Sequence, residues 1–258
     1  MKRLLIILVP WVIHLSPLKA QLSESDSLRR AFLINATGNL SYGNVDRQFL
    51  LSNLQYVHRI GDSWAFKTQN SHRFGRSSKS VVANDLLALN YLYYKPRNKF
   101  YPYAVVFLEK SRRKKIDDRW IGGVGVTMQA VRSEKSLIKL SLTGFYESTD
   151  YEENEFEELG LRSTTVISMP KVAFRIFGRH DLEGIPLQFY YVGRVFRSLS
   201  DLGDYRTNLS FGIDFSVTSA LAFTTRANFT NEDIIVSEQE ANDLLITYGL
   251  RIKLSSRE

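Results

Sequence analysis

Residues 32–42 read FLINATGNLSY, and this stretch decides the fold class. Its even positions are apolar or small, whereas the odd positions from Asn35 to Ser41 are polar. Because successive side chains of a strand point to opposite faces, one face of the segment suits lipid and the other suits water. Residues 205–218 repeat the pattern with YRTNLSFGIDFSVT. Such alternation is longer than the strands of a soluble sandwich and suffices to cross a bilayer when tilted.

The same alternation recurs along the chain and predicts an all-β protein, an antiparallel transmembrane β-barrel of about twelve strands. The predicted strands are 31–43, 48–60, 63–75, 81–94, 99–110, 119–131, 136–147, 163–177, 185–197, 205–218, 221–231 and 242–254. Tight connections such as Gly61-Asp62 and Ser219-Ala220 alternate with longer polar ones at 76–80, 111–118, 148–162, 198–204 and 232–241. An even number of strands places both termini on one side, so we expect short periplasmic turns and longer external loops.

The first twenty residues are predicted to be a secretory signal peptide. Lys2 and Arg3 precede the mainly apolar residues 4–15, and Ala20 is a small residue at the expected cleavage point. The apolar run is short for a membrane span, which favours a signal peptide over an anchor. The predicted organisation is therefore a signal peptide at 1–20, a short N-terminal segment at 21–30 and a barrel at 31–258.

Charge and cysteine content exclude several classes of protein. Removing Lys2, Arg3 and Lys19 reduces the 34 basic residues to 31 against 27 acidic ones, so the net charge falls from +7 to +4. This small excess, without an aromatic ladder or a known nucleic-acid motif, predicts no nucleic-acid partner. The chain has no cysteine, which excludes disulfides, thiolate chemistry and a lipoprotein anchor.

Aromatic residues make up 12% of the chain, and many lie near predicted strand ends, where they suit the membrane interfaces. The residues assigned to these positions are Trp64, Tyr91, Tyr93, Tyr94, Phe100, Tyr101, Tyr103, Trp120, Tyr146, Tyr190, Tyr191 and Tyr205. An ordinary aromatic core is the alternative.

The last predicted strand indicates a partner in assembly. Residues 247–254, TYGLRIKL, resemble the C-terminal signal that the barrel-insertion machinery of the outer membrane recognises. The tail SSRE at 255–258 stands where many such proteins end on an aromatic residue.

Several short motifs resemble one family. They are SYGNVD at 41–46, which leads into RQFL at 47–50, then GDSW at 61–64 and YGLRI at 248–252. Together they resemble the salt-induced outer-membrane protein family known as domain of unknown function 481, in which a Gly-Asn-Thr-Asp-like turn follows the first strand. Val45 replaces the usual Thr here. The resemblance extends over residues 30–254 and implies an outer-membrane location without an established activity.

An enzyme active site is poorly supported. Ser71 and His72, near Asn84, are the best candidates for a nucleophile and its base, as in an outer-membrane lipid hydrolase. Neighbours in a strand point to opposite faces, so the two side chains cannot readily form a hydrogen bond. His180 falls in a predicted periplasmic turn and receives no role. We predict no catalytic residue.

Two charged loops are candidate sites for ions or lipid. Residues 152–158, EENEFEE, offer oxygen ligands but lack the spacing of a calcium loop, so we predict a solvated loop, no metal and no cofactor. Lys110 and the basic residues at 112–115 suit lipopolysaccharide phosphates, with an ordinary solvated loop as the alternative.

The polar faces of the strands predict a basic lumen. The basic residues are Lys139, Arg175, Arg194, Arg206, Arg226 and Arg251, together with Lys67, Arg73 and Lys171. The chief acids are Glu147 and Asp214. An open basic lumen would prefer anions, whereas a lumen filled by arginines bonded to these acids and to Tyr190 would have no continuous path. Strand number does not decide between the two, and we favour the filled or narrow lumen.

These observations predict a monomeric barrel that contacts outer-membrane lipids and has a structural or envelope-adaptation role. A narrow, anion-preferring channel is the second hypothesis, and a lipid hydrolase is the third.

Overall fold

A computed structural model describes residues 22–26, 28–41, 46–78, 80–152, 165–200, 204–236 and 240–256. The predicted signal peptide, the turn motif at 42–45 and most of the acidic run at 152–158 lie outside these residues. In the described part of the chain, no helix is long and apolar enough to cross a membrane.

The described residues form twelve β-strands. They are β1 (Arg30–Ser41), β2 (Arg47–Ile60), β3 (Trp64–Ser77), β4 (Ser80–Tyr94), β5 (Phe100–Ser111), β6 (Ile116–Arg132), β7 (Ser136–Tyr151), β8 (Val166–Asp181), β9 (Leu187–Ser198), β10 (Tyr205–Ser216), β11 (Leu221–Glu232) and β12 (Asn242–Ser256). Every strand pairs antiparallel with its neighbours in the chain, and β1 pairs with β12 to close the barrel. The predicted all-β fold with about twelve antiparallel strands is confirmed.

The two ends of the barrel differ in their connections. The terminal end, where β1 begins and β12 ends, carries connections of three to five residues, with Gly61 and Gly184 in the left-handed conformation at φ values of 59° and 78°. The opposite end, which we call the loop end, carries the longest connection, at 152–165. Two loop-end connections are shorter than predicted, because β3 ends at Ser77 and β4 begins at Ser80, and because β5 ends at Ser111 and β6 begins at Ile116. The predicted longer loops at 76–80 and 111–118 are therefore wrong.

Most strand bounds agree with the alternation, and the largest differences are in β7 and β8. β7 continues to Tyr151 rather than 147, and β8 continues to Asp181 rather than 177. The extension of β7 keeps the phase of the strand, because Thr149 and Tyr151 are buried. Its polar composition had suggested a loop, yet polar side chains are tolerated here because they face a polar interior.

The outer face of the barrel is apolar. Along β10, Leu209, Phe211 and Phe215 are exposed, whereas the alternating Arg206 and Asp214 are buried. Further exposed apolar side chains cover the neighbouring strands, among them Ile34, Leu54, Val106, Val124, Leu142, Phe174, Phe223, Ile246 and Leu250. A soluble monomer rarely exposes so continuous an apolar surface, whereas a transmembrane barrel presents one to lipid.

The aromatic residues divide between the two faces, which corrects part of the interface prediction. Trp64, Tyr94, Phe100, Trp120 and Tyr146 are exposed on the outer face. The structure instead places five tyrosines in the interior, where each is 6% exposed or less: Tyr91, Tyr93, Tyr101, Tyr103 and Tyr190. The strand phase explains the error, because residues 91–94 read YLYY and both faces of β4 therefore carry an aromatic residue.

Candidate functional site in the barrel lumen

The N-terminal segment enters the barrel. Residues 22–26, which we call the N-terminal plug, are all buried at the terminal end, and Leu22 packs with Leu28, Leu33 and Val57. The backbone NH of Ser23 donates to Oδ2 of Asp26 at 3.1 Å, and the NH of Asp26 donates to the carbonyl of Ser23 at 3.1 Å. These two bonds fold the plug into a compact turn. The sequence predicted a short segment at 21–30 but not its place inside the lumen.

Glu24 is the charged centre of the plug. Its Oε1 accepts hydrogen bonds from Nζ of Lys139 at 2.7 Å and from the hydroxyl of Tyr101 at 2.6 Å. Nζ of Lys67 lies 4.0 Å from Oε2. Burial alone would raise the pKa of Glu24, but the charges of Lys139, Lys67 and Arg175 outweigh burial and hold this pKa well below its ordinary value. Glu24 is therefore a carboxylate bound between β3, β5 and β7.

Asp26 provides a second anchor for the plug. Arg179 in β8 donates from both terminal nitrogens, to Oδ1 of Asp26 at 2.9 Å and to Oδ2 at 3.1 Å. A bidentate pair of this kind fixes orientation as well as distance. Lys67 also donates to the carbonyl of Leu22 at 2.7 Å. Side chains from several strands thus bind the five residues of the N-terminal plug.

The opposite side of the terminal end is filled by Arg251 and its partners. Arg251 in β12 forms a buried ion pair with Asp214 and donates to Oδ1 of Asn35 and to the hydroxyl of Tyr190, each at 3.0 Å. Tyr190 fits because its neighbour in the sheet is Gly212, where a Cβ would lie 2.2 Å from the ring carbon Cζ. The plug and this cluster both lie inside the barrel at its terminal end.

A second ionic cluster, the loop-end network, lies near the other end of the barrel. Arg119 donates to Glu109 at 2.9 Å and to Glu232 at 3.5 Å. Glu147 accepts from Lys171 at 2.8 Å and from Arg206 at 2.7 Å. These acids and bases compensate one another in the interior, where an unpaired charge would be costly.

The basic turn between β5 and β6 contributes to the same region. Nη1 of Arg113 lies 2.8 Å from Oδ2 of Asp243, and Lys114 forms ion pairs with Glu109 and Glu232. Lys110 pairs with Asp117 at 3.3 Å. Arg113 and Lys114 therefore point into the barrel, so the turn offers less outward charge to lipopolysaccharide than its sequence suggests.

A cavity of about 370 Å³ separates the plug from the loop-end network. Arg175, Arg194, Arg226, Tyr103 and Asn208 contribute polar groups to its wall. An apolar part of the wall is formed by Leu89, Val105, Phe107, Ile121, Phe145, Ala173 and Phe196. A volume of this size and a mixed wall are typical of sites for small molecules.

Three arginines of the cavity have no carboxylate partner among the described residues. Arg175 donates to Oγ of Ser141 at 3.1 Å and contacts the hydroxyl of Tyr91 at 3.5 Å. Arg226 donates from Nε to the hydroxyl of Tyr190 at 3.0 Å. Arg194 lines the cavity directly opposite Arg175 in the β8–β9 register. Like charges in that arrangement repel each other.

The predicted basic cluster therefore separates into two groups. Lys139, Arg206 and Arg251 are engaged in ion pairs, as are the predicted acids Glu147 and Asp214. Arg175, Arg194 and Arg226 line the cavity. The interior also holds acids that were not anticipated, namely Glu24, Asp26, Asp85, Glu109, Glu232 and Asp243.

Four of these acids had a sequence signal, whereas the plug had none. The acids in phase with the inward residues of their strands are Asp85, Glu109, Glu232 and Asp243. Glu109 is in phase with the inward Tyr103 and Val105 of β5, so extending the alternation would have found it. Glu24 and Asp26 precede the first strand, where no periodicity specifies a face.

Ser71 and His72 are not brought together as a catalytic pair. Ser71 lines the cavity, whereas Nε2 of His72 lies 3.0 Å from Oδ1 of Asn84 on the exposed side of the sheet. The described residues contain no group of three potential metal ligands. Most of the acidic run at 152–158 lies outside them, so the absence of a metal site there stays a prediction.

The closed barrel, its apolar outer face and its ion-paired lumen define a membrane-type β-barrel with a partly filled interior. The chain matches the model of the family described as protein of unknown function, DUF481, over residues 34–253, and it belongs to that family. The membership predicted from the motifs is confirmed.

Comparison with other known proteins adds the following similarities. No curated protein matches the chain. The solved structure of the NanC porin in a rhombohedral crystal form is similar with a TM-score of 0.49 and 9% identity, covering 88% of this chain and 100% of that one. An outer membrane channel from Pseudomonas putida F1 gives a TM-score of 0.49 and 12% identity, covering 92% and 100%. The KdgM porin in complex with disordered oligogalacturonate gives 0.42 and 8%, covering 88% and 99%.

Proposed function

We propose that the protein is a bacterial outer-membrane β-barrel with a structural or envelope-adaptation role, and that its N-terminal plug closes the lumen to ion flow. The burial of residues 22–26 inside the barrel carries this proposal. An ion that crosses the terminal end has to displace the plug and separate Glu24 from Lys139 and Asp26 from Arg179. Removing one partner of a buried ion pair typically costs about 3–5 kcal/mol.

Conductance of purified protein in planar bilayers tests the closed lumen. We expect the wild-type protein to insert without discrete conductance steps, whereas a variant that lacks residues 22–28 should give steps because its terminal end has lost the plug. Lys135→Met is a suitable control, since Lys135 pairs with Glu183 at the same end but outside the lumen. Steady conductance steps of the wild-type protein, equal to those of the deletion variant, would contradict the proposal.

The outer-membrane location is supported by the apolar outer face and by the features of residues 1–20. We propose cleavage after Ala20, contact of the outer face with membrane lipids, and recognition of β12 by the barrel-insertion machinery. A closed barrel leaves no free sheet edge for pairing with a second copy, which supports a monomer. Membrane fractionation and the intact mass of the purified protein test location and cleavage, and a mass that includes residues 1–20 would contradict cleavage.

We propose lipopolysaccharide as a partner of the loop end, where Lys110 and Arg112 remain exposed. Binding of purified lipopolysaccharide to the wild-type protein and to a Lys110→Gln, Arg112→Gln variant tests this contact. Equal binding by the two proteins would show that lipopolysaccharide does not bind through Lys110 and Arg112.

A narrow, anion-preferring channel is the second candidate, and the cavity arginines without a carboxylate partner favour it. If the wild-type protein conducts, we expect Arg226→Gln to reduce anion selectivity more than Arg206→Gln, because Arg206 is already neutralised by Glu147. Cation selectivity that neither substitution alters would remove this candidate.

We propose no enzymatic activity, since Ser71 and His72 face opposite sides of β3. Turnover of phospholipid and lipid A by the wild-type protein and by His72→Ala tests this point. Turnover that is lost in His72→Ala would support the lipid hydrolase instead.

A further inference from the structure

Most described cationic side chains inside the barrel form ion pairs, but some of those in the cavity do not. In the described part of the chain, most cations that face the lumen form an ion pair with a carboxylate: Lys67, Arg73, Arg113, Lys114, Arg119, Lys139, Lys171, Arg179, Arg206 and Arg251. Arg175, Arg194 and Arg226 form none, although all three line one cavity. The three side chains are half-buried, and cations grouped on one cavity wall without a carboxylate partner attract an anion.

Arg175 and Arg194 are neighbours among the three arginines without a carboxylate partner in the described residues. They are directly opposite each other in the register of β8 and β9, and both face the cavity. Side chains in such a pair are close neighbours, and two guanidinium groups there repel each other unless an anion lies between them. Nε of Arg175 is also a buried donor without a hydrogen-bond acceptor. Two planar groups with parallel donors suit the two oxygens of a carboxylate or phosphate.

An apolar surface continues directly from the arginine pair. The next inward pair in the register is Ala173 and Phe196, which lies one repeat along the same two strands. Phe196 contacts Phe145 edge to face, with ring centroids 5.9 Å apart, and Phe107 packs against the same cluster. The cavity therefore presents an oxyanion-binding end and an apolar end within its 370 Å³.

We propose that this cavity binds a small organic anion, with its carboxylate or phosphate held between Arg175 and Arg194 and its apolar body against Phe107, Phe145 and Phe196. Asn208, which pairs with Arg194 in the sheet, adds a side-chain donor beside the oxyanion end. The binding site goes beyond the closed barrel proposed above and does not depend on it, because binding and conductance are measured separately.

Isothermal titration calorimetry of the full mature protein in an uncharged detergent tests the site. Benzoate and phenyl phosphate serve as probes and distinguish a carboxylate from a phosphate head group. Acetate and inorganic phosphate lack the apolar body, and benzyl alcohol lacks the charge. We expect one of the two aromatic anions to bind with a stoichiometry of one, and all three comparison compounds to bind at least about tenfold more weakly.

Two variants connect the binding to the arginine pair. Arg194→Gln and the double variant Arg175→Gln, Arg194→Gln should weaken binding of the preferred probe by about tenfold or more, because each removes a charged donor to the oxyanion. Arg97→Gln changes an exposed arginine of the β4–β5 turn, outside the cavity, and should bind like the wild type. Heat-dependent mobility in gels shows whether each variant forms a folded barrel, and Arg194→Gln alone suffices if the double variant does not.

Several results would overturn the inference. No saturable binding of either aromatic anion to the wild type excludes the site. Binding that is unchanged in folded Arg194→Gln places it away from the arginine pair. Acetate or inorganic phosphate binding as tightly as the aromatic anions contradicts the assigned ligand class, and so does equal binding of benzyl alcohol.

Discussion

Replacement of Glu24 by Gln should release the N-terminal plug without unfolding the barrel. Glu24 is 3% exposed, accepts a hydrogen bond from Lys139 at 2.7 Å and lies 4.0 Å from Lys67. Gln keeps the shape and one oxygen acceptor but removes the charge, which leaves two buried ammonium groups without their anion. Breaking a buried pair in this way costs about 3–5 kcal/mol, or roughly a 100-fold to several-thousand-fold shift in the docking equilibrium.

The absence of cysteine from the chain provides a direct assay. Ser25 is 4% exposed in the plug, so Ser25→Cys adds a single, protected thiol of similar size. When the plug closes faster than the thiol reacts, the rate of maleimide labelling is proportional to the fraction of molecules with an open plug. We expect labelling of Cys in the Glu24→Gln background to be about 100-fold faster or more than in Ser25→Cys alone.

Glu183→Gln is a matched control for the loss of a carboxylate. Glu183 pairs with Lys135 at the same end of the barrel, but its side chain is 83% exposed and faces solvent. An exposed pair contributes little, so this substitution should leave the labelling rate unchanged. If Glu24→Gln and Glu183→Gln label equally slowly while both barrels remain folded, the reasoning that Glu24 holds the plug is refuted.

Three further predictions concern the plug, the outer face and the packing of the lumen. Burial would raise the pKa of Glu24, but the charges of Lys139 and Lys67 lower this pKa overall. The Glu24 carboxylate therefore stabilises the docked plug above its ordinary pKa near 4.5, and this stabilisation is lost only as the pH falls through the lowered pKa. The labelling rate of Ser25→Cys, normalised to the unfolded protein, should therefore stay constant from pH 6 to pH 5, and a rise within that window would contradict a lowered pKa. Phe211→Arg should reduce the free energy of folding into lipid by about 2–4 kcal/mol, because Phe211 is exposed on the outer face, whereas Ser210→Arg on the inner face should cost less. Denaturant titration of both variants in lipid vesicles checks this, and equal costs would show that the two faces are assigned wrongly. Gly212→Val should displace the hydroxyl of Tyr190 from Arg226 and Arg251, because a Cβ at Gly212 would lie 2.2 Å from Cζ of Tyr190. We expect a loss of about 1–3 kcal/mol, the typical cost of overpacking, whereas Gly144→Val, where nothing lies within 4 Å of a Cβ, should change stability less.

The sequence predicted the features of the barrel that depend on a period of two. In β10 the alternation of Phe211 and Phe215 with Arg206 and Asp214 specifies both the strand and its two faces. The prediction failed where both faces of a strand carry an aromatic residue, as at the buried Tyr93 and the exposed Tyr94, since composition near a strand end does not distinguish a membrane interface from a packed lumen.

The candidate site was predicted only in part, because its pairing depends on the three-dimensional structure. The alternation placed Arg175 and Arg206 inside the barrel. Only the structure shows that Arg206 forms an ion pair with Glu147, whereas Arg175 donates to hydroxyl groups. The plug was missed for a different reason. Its residues have no periodic pattern, and their contacts with Lys139 and Arg179 span more than one hundred positions of sequence.

The position of the plug has a consequence for how the barrel is assembled. The plug precedes β1, whereas the barrel closes only when β12 pairs with β1. If the plug docks before that closure, the contacts of Glu24 and Asp26 connect β3, β5, β7 and β8 through the interior. These contacts would stabilise a sheet that is still open. The protein would then be built around its own N-terminus, and changes in five residues outside the sheet would alter the yield of the finished barrel.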